Sequence, residues 1–484
     1  MKRYISLALS IVIMLSSLLL SGCGVFIFNV PGDGVEETTV PEEETTAPEP
    51  LDVIKGDYAT DVDLFMKDLT ETDYSGAVAR IVSTRKSLIH PDEKTSKTLS
   101  EDLAERNEAV EETLGITLVS NEREVSVMLQ EIRAAVKSDT YYADIVMYPQ
   151  SYIGAFVSGG AIINLKSLPG FETDGGYYYK TGVCAGTGGD AVYAVAGPAS
   201  LDADSLSCIF FNKKMIEATG LESPYKLVDR GEWTIDKYTQ YVTAGGALEG
   251  DYYGYGAQNT VTYLSDLFFF GAGERLTESS LGYYPQITVN SGNGMTVIEK
   301  IRAATVNAES SGSALSAIDS FNSGNTLFLI ERVDTMKALS QSVDWGVLPM
   351  PKYSEEQEKY ITLAPYEDAL FMSAVPTAPN YAMTADVIAC TNIMSYGYTK
   401  DAYVTNATYY YLRDNESIRM LDTVVSNPVY DFSYSFASSY NSIPSATFMA
   451  VRNAVSGVST IERYLNMWSR QFENSMYYLF DVES

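Results

Sequence analysis

Between residues 77 and 149 the sequence alternates strand-like and helix-like periodicity, and this alternation most narrows the folds open to the chain. Ala77 to Val82 is a short apolar run of strand length. Thr98-Leu99-Ser100-Glu101 has the form of a capping box and predicts a helix that runs to Leu114 and stops at Gly115. Ile116 to Val119 is β-branched and strand-like. Val125, Met128, Leu129, Ile132 and Val136 then fall on one face of a helix, and Asp144 to Tyr148 is a further strand ended by Pro149. Strand-helix-strand-helix-strand at this spacing predicts parallel β-α-β units in a sheet covered on both faces. Such sheets take ligands at the carboxyl ends of their strands, which makes Thr84, Arg85 and Tyr148 candidate contacts.

A second unit of the same kind begins near Cys208. Ser207 to Phe211 is strand-like, Lys213 to Thr219 is helical up to Gly220, and Ile235, Tyr238 and Val242 mark a helix behind Trp233-Thr234. Gln258 and Asn259 follow the strand-like Tyr253-Gly254-Tyr255-Gly256-Ala257 and offer amides suited to hydroxyl groups. Glu331 and Arg332 end the apolar strand that starts at Thr326, so Arg332 is a candidate. Tyr366, Glu367 and Asp368 precede a strand from Ala369 to Val375, and Tyr430-Asp431 lies in a Pro-bounded polar-aromatic patch. Of these, Tyr366, Glu367 and Asp431 join the candidate ligand set. Trp233 and Trp345 stand in packing contexts.

Composition removes several functions. With 63 Asp+Glu against 33 Lys+Arg the formal charge is -30, which disfavours a nucleic-acid partner. A single histidine, His90, leaves no His-rich metal site and no paired imidazoles, and its place before Pro91 suggests a surface loop. Cys184, Cys208 and Cys390 have no zinc-ligand spacing, and no nucleotide, hydrolase or cofactor motif is present. The catalytic and metal sets are therefore empty, and no cofactor is expected. There are 36 tyrosines against 18 phenylalanines, a balance that suits a wet binding surface.

At the N-terminus, Lys2-Arg3, an apolar run from Ile5 to Leu20 and then Leu20-Ser21-Gly22-Cys23 resemble a bacterial lipobox. The expectation is a signal peptide over 1–22 and lipidation at Cys23, with two acyl chains giving a stable membrane anchor. Residues 23–54 carry acids without Lys or Arg and are expected to be a disordered tether.

Phe210-Phe211-Asn212-Lys213-Lys214-Met215, Gly220 to Tyr225 and Gly231-Glu232-Trp233-Thr234-Ile235 resemble extracellular solute-binding proteins of family 1. Phe321-Asn322-Ser323-Gly324, Asp344-Trp345-Gly346-Val347-Leu348-Pro349 and the run from Pro444 to Val455 agree in order, so the resemblance covers most of residues 75–475. It implies an α/β, two-lobed periplasmic-binding-protein-like fold of type II, each lobe a mainly parallel sheet, with crossing strands around a cleft. Carried onto this chain, the lobes are 55–207 plus 354–425 and 208–353 plus 426–484.

The implied function is capture of a small polar solute, a sugar or oligosaccharide, and delivery to ATP-binding-cassette permease subunits. The protein would act as a monomer held on the extracytoplasmic face of the cell membrane by its lipid. Two alternatives stand beside this. One is a surface glycosidase using paired carboxylates such as Glu331 and Glu367; the other is a surface adhesin.

Overall fold

Strands β1 (Ala77–Ser83), β2 (Ile116–Glu122) and β3 (Ile145–Pro149) pair in parallel, with β1 between the other two. The two helices that connect them, Lys97–Leu114 and Val125–Ser138, are those the spacing predicts. The first of them starts earlier than expected. Ser96, rather than Thr98, is the N-cap, its hydroxyl accepting from Leu99 N at 3.4 Å. Glu101 is not needed for a capping box and instead lies 3.6 Å from Lys97, one turn back. At the other end Gly115 takes φ +62°, where a side chain would also run into Asp73. The computed structural model describes residues 69, 73–93, 95–257, 261–280, 282–306, 316–398, 403, 404, 407, 410–435 and 443–480. The lipobox with Cys23 lies outside the described residues, as does the tether.

The second sheet contains β4 (Ser207–Asn212), β5 (Tyr253–Gly256), β6 (Thr326–Arg332) and β7 (Trp345–Leu348), in the order β7-β4-β6-β5. The chain then returns to the first sheet as β8 (Leu370–Ala374), antiparallel to β3. The expectation of mainly parallel sheets holds for the first and fails for the second, where β4 is antiparallel to both its neighbours and only β5 and β6 are parallel. The reason is burial. Every residue of β4 is buried, so its apolar run carries no record of strand direction.

Period-two alternation divides the interior. Ile145 and Met147 face a core shared with Val110, Leu114 and Ile388, while Val146 and Tyr148 face a larger core continuous with the second sheet. Trp233 is fully buried there, edge-on to Tyr241 and Phe328, with Nε1 donating to Pro349 O at 3.1 Å. Trp345 packs edge-on to Phe210. Cys208 and Cys390 are buried and Cys184 half-buried, all three as free thiols; burial pushes Cys390 up to about 12.

Two crossing segments run side by side. Thr362–Leu363 pairs in parallel with Pro428–Val429, through Thr362 N to Asn427 O at 3.1 Å and Ala364 N to Val429 O at 2.9 Å. Ahead of this ribbon the chain folds around buried Lys352, whose ammonium donates to Glu355 O at 3.2 Å and Gln357 O at 2.7 Å. Helix Asn415–Ser426 packs against β7 of the second sheet. Tyr225 and Ser417 share a hydrogen bond of 2.7 Å, and Arg419 meets Asp229 at 2.8 Å. These partners are polar and far apart in sequence, so no local pattern announces them.

His90 lies in the loop after β1, with Nδ1 2.7 Å from Ser120 Oγ. Burial, then the charge of Arg106, lower its pKa from 6.5, so the folded state binds this proton less readily than the unfolded chain. Stability is therefore expected to fall as the pH drops through the ordinary imidazole range towards the lowered folded pKa. His90→Gln should flatten that part of a stability-versus-pH curve; a slope retained in the variant would assign it to other groups.

Candidate functional site

The parallel pairing of β1 and β3 sets their carboxyl ends side by side, and antiparallel β8 brings its amino end to the same edge. Gln150 N donates to Ala369 O at 2.9 Å and Ser151 N to Tyr366 O at 3.1 Å, which fixes the loop before β8 against the end of β3. In the second sheet the end of β6, the start of β4 and the end of β5 share an edge, since Arg332 lies opposite Ser207. A cavity of about 890 Å³ takes Arg85 on one side, Arg332 and Lys337 on the other, and Asp202, from the segment just ahead of β4, between them. Leu99, Leu103 and Met336 give it apolar walls, and Tyr403, Tyr410 and Tyr411 add aromatic ones.

The charges along this wall are paired. Asp368 Oδ1 accepts from Arg85 Nη2 at 3.1 Å and its Oδ2 from Arg332 Nη1 at 2.7 Å, so one carboxylate links the ends of β1 and β6. Arg85 also contacts Asp202, and Arg332 Nε lies 3.4 Å from Asp334. Burial opposes the charge on Arg332, but Asp368 and Asp334 outweigh it and raise the pKa. Lys337 meets Asp204 at 2.6 Å, and the Tyr403 hydroxyl donates to the same carboxylate. Arg106, at the back of the cavity, is 1% exposed. Its N–H groups are spent on Leu88 O, Ile89 O, Asn107 Oδ1 and Ser395 Oγ, and burial lowers it to about 10.

An aromatic stack stands at the other end of the Asp368 loop. Tyr366 lies flat on Tyr434, with centroids 4.5 Å apart and planes 3° apart, and Phe448 packs beside both, 5.5 Å from Tyr434 and 6.2 Å from Tyr366. Arg452 covers Phe448 at 4.5 Å and forms an ion pair with buried Asp266, which also accepts from the Tyr434 hydroxyl at 3.0 Å. Burial raises the carboxyl pKa of Asp266 despite Arg452, while Asp266 tightens the hold of Arg452 on its proton.

Of the residues singled out in the sequence, Arg85 and Arg332 line the cavity. Thr84 sits beside Arg85, half-buried, its hydroxyl without a hydrogen-bond partner. Tyr366 is half-buried in the stack, and Glu367 is exposed and outside the cavity wall. Tyr148 is a core residue instead: it is fully buried, stacks on Phe156 at 4.0 Å and shares a hydrogen bond with Ser373. Asp431 is likewise internal. It accepts from Leu276 N, Thr277 N, Thr277 Oγ1 and Ser433 N, which consumes its acceptor capacity. Gln258 and Asn259 lie outside the described residues. Neither Glu331 nor Glu367 lines the cavity, so the imagined carboxylate pair has no place in it. Asp202, Asp204 and Tyr403 were missed. The one available signal was a pair of acids set just before an apolar strand.

No protein-family model matches the chain, and no curated protein matches it significantly. Solved structures do share its fold. A cyclo/maltodextrin-binding protein complexed with maltotetraose is 14% identical with a TM-score of 0.53, over 83% of this chain and 97% of that one. The cyclic alpha-maltosyl-1,6-maltose binding protein from Arthrobacter globiformis is 12% identical with a TM-score of 0.53, over 83% and 99%. The sugar-binding protein MalE from the phytopathogen Xanthomonas citri is 10% identical with a TM-score of 0.54, over 84% and 100%. With its two sheets and paired crossing strands, this chain has the two-lobed, MalE-like periplasmic-binding-protein fold.

Proposed function

We propose that this protein is a family 1 solute-binding lipoprotein that captures a sugar or oligosaccharide between its lobes and delivers it to an ATP-binding-cassette importer. One observation carries the reading: a cavity of about 890 Å³ that takes Arg85 from the loop after β1 and Arg332 from the end of β6 into one wall, in a fold shared with three sugar-binding proteins. Its volume is near the upper end of the roughly 300–1,000 Å³ of small-molecule sites, more than one hexose needs. Sugar hydroxyls find donors and acceptors in Arg85, Asp202, Asp204 and Arg332, and sugar C–H faces find the tyrosine rings. Gln258 and Asn259 are further ligand contacts in this reading, and Tyr366 extends the aromatic surface. A ligand touching both lobes favours the closed state, and that state is what a permease recognises. Lipidation at Cys23 holds the protein at the extracytoplasmic face of the membrane, where it works as a monomer without chemistry on its solute.

The test is a thermal-shift panel of mono- and oligosaccharides on protein lacking residues 1–23. One sugar at about a hundredfold above its Kd should add roughly 2.7 kcal/mol, seen as a rise of several degrees in Tm. No shift with any sugar, combined with glycoside turnover, would replace the receptor with the enzyme. A shift with peptides alone would keep the receptor and discard the sugar.

A further inference from the structure

We propose that Asp368 is a specificity-determining residue: by filling an arginine clamp with its own carboxylate, it reserves the inter-lobe site for uncharged sugars. The inference rests on the sugar reading above and concerns which sugars are refused. Arg85 comes from the end of β1 and Arg332 from the end of β6, so the clamp has one jaw on each sheet. Each jaw gives one N–H to a different oxygen of Asp368, at 3.1 and 2.7 Å. Two guanidiniums from opposite sides meeting one carboxylate is the arrangement that would bind the carboxylate of a uronic acid or a sulfate ester.

The clamp is within reach of a ligand. Both arginines line the cavity, and the three side chains keep about a third of their surface, 33%, 35% and 27% for Arg85, Arg332 and Asp368. With Asp368 in place, however, the N–H groups aimed across the clamp, on Arg85 Nη2 and Arg332 Nη1, are already taken by a carboxylate. Arg85 is also in contact with Asp202, and Arg332 with Asp334, so an acidic ligand would bring a fourth carboxylate to two guanidiniums. Surplus like charge of this kind disfavours the wrong ligand even where the attractive contacts are kept. Without the charge of Asp368, an incoming carboxylate restores the charge balance of the native wall.

The experiment compares the wild type, Asp368→Asn and the double variant Asp368→Asn/Arg332→Gln, with trigalacturonate and inorganic sulfate as probes at constant ionic strength. Asn keeps the shape of Asp, and Asp368→Ser serves if the first variant does not fold. The wild type should show no binding by calorimetry and no thermal shift with either probe. Asp368→Asn should gain affinity for trigalacturonate of at least about tenfold, and the gain should vanish in the double variant. The proposal is overturned if Asp368→Asn gains nothing, if the gain survives loss of Arg332, or if the wild type binds trigalacturonate as well as the variant does. Should the wild type bind no sugar of any kind, the sugar reading falls while sulfate binding still decides whether Asp368 blocks the clamp.

Discussion

Replacing Asp431 with Ala is expected to lower stability by roughly 3–5 kcal/mol. Its two oxygens accept four hydrogen bonds, three of them from the backbone N–H groups of Leu276, Thr277 and Ser433. The residue is 2% exposed, so bulk solvent does not reach these donors in the folded chain. Each buried donor left without a partner costs about 1–3 kcal/mol. Asp431→Asn, which keeps an acceptor oxygen, should lose less. Denaturant titration checks the order: the midpoint falls for Ala more than for Asn at an unchanged slope. A neutral Ala variant would mean that these N–H groups find other partners in the vacated space.

The second large effect is expected from Arg452→Met. The guanidinium is the ion-pair partner of Asp266, which is 2% exposed, and it covers the face of Phe448. Methionine retains much of the apolar contact but leaves a carboxylate buried without its cation, at a cost of about 3–5 kcal/mol. Because burial already raises Asp266, the folded state of the variant holds the Asp266 proton more tightly than the unfolded chain does. The deficit should therefore be largest at neutral pH and shrink as the pH falls into the carboxyl range. Adding Asp266→Asn should recover part of the loss, since the uncompensated charge disappears. Equal deficits at neutral and acid pH would show that packing on Phe448, rather than charge, is what Arg452 supplies.

The first sheet was legible in the sequence because its strands and helices alternate with distinct periods; Met128 and Ile132 face inward as their spacing requires. The second sheet was legible as strands but not as directions, since Ile209, Phe210 and Phe211 are buried whichever way β4 runs. Arg85 and Arg332 were legible as edge residues for one reason: a charge that follows or ends an apolar strand has to lie at a sheet edge, whereas the pairing of both with Asp368 had no signal. Tyr148 and Asp431 misled because a polar tip on a buried residue looks the same in sequence whether it meets a ligand or an internal partner. Here the partners are Ser373 and the 276–277 backbone. Tyr403 reaches Asp204 across 199 positions, a pairing that only the folded chain reveals.

The lone imidazole has a practical use as well. His90 sits between Leu88 and Asp92, both on the cavity wall, and no other residue in the chain contributes a histidine resonance. Its ring protons can be identified in a one-dimensional spectrum without isotopic labelling or assignment. Titrating a solute into the unmodified protein while following that single signal would report events at the cavity wall through a reporter the sequence already contains.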